Sequence, residues 1–146
     1  MKLTQLSVFL ENKPGRLSKP CSILAGAGIN ILTLSLADTQ QFGILRLVVR
    51  DWEKAKKVLQ EAGFVVNVTE VVAIEVNDRP GGLQEVLEVI EKAAINVEYI
   101  YAFTSKKEDK AIIVFRFEKP DQAIEHLASR CIKVMESVEL FKRVEQ

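Results

Sequence analysis

The sequence is poor in the residues that most often carry chemistry. Of 146 residues, two are cysteine (Cys21 and Cys131) and one is histidine (His126). That set is too small for a closed structural zinc site, and no Cys-x-x-C pair occurs, so neither a metal nor a cofactor is expected. Any Ser-His-Asp or Cys-His arrangement would have to use His126, and no P-loop or H-E-x-x-H is present. No catalytic residue is therefore assigned. His126 lies among Ile124, Glu125, Leu127 and Ala128 and reads as a partly exposed helix residue. The two cysteines read as reduced core residues. Charge of one sign is also lacking, since 20 basic and 20 acidic side chains cancel. A general nucleic-acid binder carries a basic face, so nucleic acid is not an expected partner. No apolar run approaches the roughly 20 residues a spanning helix needs. Met1-Lys2-Leu3-Thr4-Gln5 is interrupted by polar residues, unlike a secretory signal. A cytoplasmic protein with no membrane partner is the expectation.

What is present is an ordinary globular composition, 48% hydrophobic and 27% charged. Length alone suggests one domain. Residues 1–70 hold 9 basic and 6 acidic side chains (+3), and residues 71–146 hold 11 and 14 (−3).

The chain repeats itself. Asn12-Lys13-Pro14-Gly15-Arg16-Leu17 recurs 66 positions later as Asp78-Arg79-Pro80-Gly81-Gly82-Leu83. At the same offset, Ala27-Gly28-Ile29-Asn30-Ile31 recurs as Ala93-Ala94-Ile95-Asn96-Val97. Further on, Ile44–Val49 pairs with Ala111–Arg116 at offset 67, and Ala55 and Leu59 pair with Ala123 and Leu127 at offset 68. Small insertions in the second copy account for the drift.

Each copy carries the same element pattern. Residues 3–10 alternate as a strand does, with Leu6, Val8 and Leu10 on one face. Leu17, Cys21, Leu24 and Ala25 recur at helical spacing and stop at Gly26 and Gly28. Pro20 is tolerable there if the helix begins at Ser18, with Ser18 as its cap. Residues 29–37 form a second strand, with Leu32, Leu34 and Leu36 facing one way. A polar turn at 38–41 with Gly43 leads to a third strand at 44–50. Asp51 caps a second helix, Gly63 stops it, and 64–69 form a fourth strand. In the second copy strands are expected near 71–77, 95–104, 110–118 and 132–143, and helices near 81–93 and 120–130, with Pro120 in a first turn. This β-α-β-β-α-β order, used twice, predicts an α+β fold: two ferredoxin-like modules in tandem, each an antiparallel sheet with both helices on one face. The expected modules are 1–69 and 70–146. The segment from Phe64 to Val76 contains no Gly or Pro, and Val66, Val68, Val72, Ile74 and Val76 share one parity along it. It predicts strand passing into strand and closely held modules rather than a flexible linker.

The loop after each first strand is the most informative feature. Its glycine lets backbone approach a ligand, and it opens a helix whose unpaired N–H groups favour anions. A strand-to-helix turn that simply needs Pro-Gly explains the same residues. Asn30 and Asn96, at the starts of the second strands, are the other repeated polar positions. An asparagine there is more often a turn-former than a ligand contact.

Asp78-Arg79-Pro80-Gly81-x-Leu83 followed by Ile95-Asn96-Val97 resembles the signature of the ACT domain. Asn12-Lys13-Pro14-Gly15-x-Leu17 followed by Gly28-Ile29-Asn30-Ile31 resembles it too, so the likeness covers nearly the whole chain. The resemblance implies a small-molecule regulatory protein that binds an amino acid at module interfaces. One module would offer its loop and a neighbour the region around its second strand. The implied binding residues are Asn12, Lys13, Pro14, Gly15 and Leu17 with Ile29, Asn30 and Ile31, and Asp78, Arg79, Pro80, Gly81 and Leu83 with Ile95, Asn96 and Val97. Backbone groups would hold the carboxylate and amino group, and Arg79 would add a bidentate donor. Copy one has Asn12 in place of the usual acid, and copy two has Ala94 where copy one has Gly28, so the two sites are expected to differ in affinity, or one to be used alone. The resemblance also implies a homodimer and no catalytic activity. At this length two modules fill the chain, leaving no room for an attached catalytic or DNA-binding domain.

Other readings compete with this one. A regulatory subunit working by contact with an amino-acid biosynthetic enzyme fits the open sheet edges. An acylphosphatase-like hydrolase would use Arg79 and Asn96, but copy one lacks the arginine. An RNA-recognition module would need stacking aromatics, and residues 44–50 carry none.

Overall fold

In a computed structural model of the chain, residues 1–38, 40–104 and 108–145 are described. Thr39, within the turn expected at 38–41, lies outside them. The chain divides into two compact units. The first is Thr4–Thr69; the second is Glu70–Gln146 together with Met1–Leu3.

The first unit contains β1 (Leu3–Glu11), α1 (Ser18–Gly26), β2 (Ile31–Asp38), β3 (Phe42–Val49), α2 (Trp52–Glu61) and the start of β4 (Val65–Asn77). β3 lies between β1 and β2 and is antiparallel to both, with Leu6 opposite Leu47 and Leu34 also opposite Leu47. This is the split β-α-β arrangement. Leu6, Val8 and Leu10 of β1 join Leu45, Leu47 and Val49 of β3, and Leu24, Ala55 and Leu59 of the two helices close over them in one buried core. Alternate residues of each strand therefore meet both helices on one face. Leu34 and Leu36 of β2 share that face, yet each is 49% exposed. They lie opposite Leu47 and Leu45 on a strand whose outer edge pairs with no other strand among the described residues.

The second unit contains the rest of β4, α3 (Gly82–Lys92), β5 (Val97–Ala102), β6 (Lys110–Phe117), α4 (Pro120–Ser129) and α5 (Ser137–Val144). β6 lies between β4 and β5, antiparallel to both. Val72, Ile74, Phe115 and Phe117 meet Val86, Ile90, Ala123 and Leu127 in its core. The two phenylalanine rings stack with centroids 5.3 Å apart. Lys2 fixes the N-terminal residues to this unit through Glu70 and Asp121, each at 3.1 Å.

Three expectations about strands and caps need correction. Residues 132–143 do not form a strand. Pairing there is reduced to a bridge between Ile74 and Val134, flanked by the Glu75 N–H donating to Lys133 and the Met135 N–H donating to Ala73. Helix α5 follows, and its Leu140 is fully buried. Ser18 does not cap α1. The cap position is Leu17, with no side-chain hydrogen bond. Pro20 is then the third helical residue, where an N–H would have no helical acceptor anyway. Along β4, Val68 is 42% exposed while Val71, Val72, Ala73 and Ile74 are all fully buried, so one parity does not describe this strand. By contrast, Asp51 does cap α2, accepting from the Lys54 N–H at 3.2 Å, and Pro120 opens α4.

The four repeat helices end alike. After α1, α2, α3 and α4, the residues in left-handed conformation are Gly28 (φ 72°), Gly63 (92°), Ala94 (54°) and Cys131 (57°). Each N–H donates three residues back, and the following N–H, of Ile29, Phe64, Ile95 or Ile132, donates five residues back. This is the Schellman closure, which satisfies the last helical carbonyls. Cys131 is accordingly an exposed helix-ending residue rather than a core one, and Cys21 is half-buried.

Candidate functional site

Both Pro-Gly loops are built by the same device. At the end of β1 the Asn12 N–H donates to Gln41 at 3.0 Å, and at the end of β4 the Asp78 N–H donates to Asp109 at 2.8 Å. Each loop then turns back on itself: the Lys13 N–H donates to Glu11 and the Arg79 N–H to Asn77. Gly15 (φ 82°) and Gly81 (φ 86°) take the left-handed conformation that opens the helix. Asn12, Lys13, Pro14, Gly15 and Leu17 are exposed, as are Asp78, Arg79, Pro80 and Gly81, while Leu83 packs on the second unit's core.

The loops differ at one position that sequence reading passed over. A Cβ on Gly82 would lie 1.8 Å from the Asn77 carbonyl oxygen. Only glycine permits α3 to start there, against the end of β4. Its counterpart is Arg16, and α1 starts two residues later in the repeat, at Ser18. The Gly-Gly dipeptide was the available signal.

Their electrostatics differ as well. In the first unit Glu11 is the hub, 3.0 Å from Lys13 and 3.7 Å from Arg16. The hydrogen bond and charge of Lys13, then the charge of Arg16, hold its carboxyl below the usual range. In the second unit Glu85 is the hub. Arg79 pairs with it, the Asn77 amide donates to it at 3.4 Å, and Lys110 donates to the Asn77 side-chain oxygen. The Arg79 guanidinium is thus held by Glu85.

The strand-start residues lie elsewhere. Ile29 and Ile95 close the Schellman motifs, and the Asn96 carbonyl accepts from the Glu118 N–H at 3.1 Å. The Asn30 and Asn96 residues are exposed, and Ile31 and Val97 begin β2 and β5. Within a unit these positions do not meet the loop. Glu11 pairs with Phe42 at one end of β3, and Ile31 with Val49 at the other. Asn77 pairs with Lys110 and Val97 with Phe117 at the two ends of β6. Seven residues of strand separate loop from strand start in both cases, about 23 Å at ~3.3 Å per residue.

A cavity adjoins each loop. In the first unit one of about 290 Å³ is lined by Phe9, Arg16, Lys19, Phe64 and Val65 among others. In the second, another of about 290 Å³ is lined by Glu75, Gly82, Glu85, Arg130 and Lys133 among others. Among the described residues no group of three or more His, Cys, Asp or Glu could hold a metal, and no helix is long and apolar enough to cross a membrane. His126 is exposed on α4.

Two ferredoxin-like units, each with a glycine-opened loop ahead of a helix, define a tandem of like modules. The sequence profile of the ACT domain pair matches residues 1–144. The chain belongs to that family, whose modules are regulatory rather than catalytic. The solved structure of protein BT0572 from Bacteroides thetaiotaomicron is similar over 97% of each chain, with 38% identity and a TM-score of 0.90. The ligand-free regulatory subunit of aspartate kinase from Thermus thermophilus shares the fold, at 16% identity and a TM-score of 0.62 over 86% of this chain and 91% of that one. The aspartate kinase of Clostridium acetobutylicum does so at 13% identity and 0.56, over 86% of this chain and 32% of that enzyme. Comparison with curated proteins yields no match.

Proposed function

We propose that this protein is a non-catalytic regulator that binds a free amino acid through its Pro-Gly loops. Residues 1–69 and 70–146 act as its two modules. The observation that carries the reading is the duplication of loop geometry: Asn12, with its cross-strand bond, and left-handed Gly15 recur 66 positions later as Asp78 and Gly81. Exposed backbone N–H groups at a helix start suit a carboxylate. The separation of about 23 Å supports a site that joins the loop of one module to the strand start of another, which in this reading a second copy of the chain brings. Asn12 or Asp78 would then face Asn30 or Asn96 of that copy. A thermal-shift screen against the twenty amino acids tests this. Ligand at a hundred times its Kd stabilises by about 2.7 kcal/mol, which a melting curve resolves easily. No shift with any of them would refute the reading.

A second reading, contact with an amino-acid biosynthetic enzyme, is favoured by Leu34 and Leu36 on the outer edge of β2, each half exposed. The regulatory subunit of aspartate kinase that shares this fold is a precedent for the fold in that role. Affinity capture from the native cell with wild type and a Leu34→Glu/Leu36→Glu variant tests it. A biosynthetic enzyme retained by both, or by neither, would count against it.

A further inference from the structure

The two cavities of about 290 Å³ are the same cavity twice. Offset 66 carries Phe9 to Glu75, Arg16 to Gly82 and Lys19 to Glu85. Offset 68 carries Ala62 to Arg130, Phe64 to Ile132 and Val65 to Lys133. The repeat has kept the space and exchanged its chemistry.

In the first unit the wall is apolar. Phe9 is 39% exposed and Val65 64% exposed, large hydrophobic surface left open at the cavity beside half-buried Phe64. The opposite side carries two cations, Arg16 and Lys19, and the Glu11 carboxylate. Arg16 stands 3.7 Å from Glu11, whose carboxylate Lys13 also engages, and Lys19 has no acidic partner among the described residues. In the second unit Glu75 and Lys133 replace the phenylalanine and the valine, and both carry charges already paired, to Arg143 and Glu139. An apolar chain placed there would displace the solvation of charged groups that line the cavity, Glu75, Glu85, Lys110, Arg130 and Lys133.

We propose that the first-unit cavity binds a small carboxylate bearing a branched aliphatic or aromatic chain, and that its counterpart in the second unit rejects it. The carboxylate lies against Arg16 and Lys19, and the chain covers Phe9, Phe64 and Val65. This deepens the reading of the loops as ligand-binding, and rests on it, by naming the class of ligand and the unit that takes it. The ligand class covers apolar amino acids and their deaminated 2-oxo acids.

The test is amide NMR of the full-length protein titrated with leucine, phenylalanine and 4-methyl-2-oxopentanoate, each alone. The expected result is a saturable shift at Gly63, Phe64 and Val65 with at least one probe and none at Cys131, Ile132 and Lys133. Val65→Lys, at a largely exposed position, and Phe9→Glu import the residues of the second unit, and either should weaken binding about tenfold or more, the worth of a lost apolar contact of this size. Binding of the oxo acid as tightly as leucine assigns recognition to carboxylate and chain alone; binding of leucine only adds its ammonium group. Shifts confined to the two Pro-Gly loops would overturn this proposal while leaving the loop reading standing. Unchanged affinity in both variants would overturn it too, and no saturable shift with any probe would refute it for these ligands.

Discussion

Replacing Gly28 by alanine tests the shared helix ending, and the repeat supplies its own control. An added Cβ at Gly28 meets nothing within 4 Å, so no steric clash contributes. The whole effect is the backbone's: a Cβ in left-handed conformation costs ~1–2 kcal/mol. Stiffening of the unfolded chain returns ~0.4–1 kcal/mol. The net expectation is a destabilisation of about 0.5–1 kcal/mol, a fall of roughly 2–5 °C in Tm. Ala94→Gly, at the equivalent position in the second unit, reverses both contributions. It should raise stability by a similar amount, as should Cys131→Gly opposite Gly63→Ala. Urea unfolding followed by circular dichroism measures all four, with the m-value unchanged. Gly28→Ala without loss, or Ala94→Gly with a loss beyond about 1 kcal/mol, would refute the assignment of these residues to one motif.

Other perturbations separate the remaining claims. Gly82→Ala drives a Cβ into the Asn77 carbonyl and should cost about 2–4 kcal/mol or prevent folding, whereas Gly15→Ala, with open space around it, should cost only ~1 kcal/mol. Leu140→Ala should cost ~2–5 kcal/mol in a denaturant titration if α5 belongs to the folded unit, and almost nothing if residues 137–144 were a detached tail. For pH, Glu11 has its carboxyl lowered from 4.5, so its contribution is present above that value and is lost as pH falls through the lower folded value. Glu11→Gln should therefore flatten the acid limb of a stability-against-pH curve. Lys2, raised from 10.5, behaves oppositely, its contribution lost only as pH rises beyond that value.

Much of this architecture can be read from the repeat. The offset between Pro14-Gly15 and Pro80-Gly81 locates both loops, and Asp51 and Gly63 bound α2 because each has a strong local preference. Ala94 and Cys131 are legible only through the offset, since nothing in an alanine or a cysteine signals a left-handed backbone. Residues 132–143 were misread because Ile132, Val134, Val138 and Leu140 share strand parity over a run too short to distinguish from a helix. The leucines of β2 show how alternation identifies a strand without saying whether anything covers it. At the site, the loops were visible as motifs, but Gly82 was hidden as a variable position. The cavities were invisible because their walls come from stretches some fifty residues apart. What no single motif shows is that loop and strand start lie at opposite ends of each sheet.

That separation makes a mixing experiment the most direct test of the central claim. One variant loses the loop side chains (Asn12→Ala with Asp78→Ala), and the other loses those at the strand starts (Asn30→Ala with Asn96→Ala). Calorimetry is run on each alone and on the two unfolded and refolded together, using the amino acid found by the thermal-shift screen. If a site joins two copies, each variant alone binds weakly, and the refolded mixture recovers tight binding in its mixed dimers. Full binding by either variant alone, or no recovery on mixing, would contradict the account.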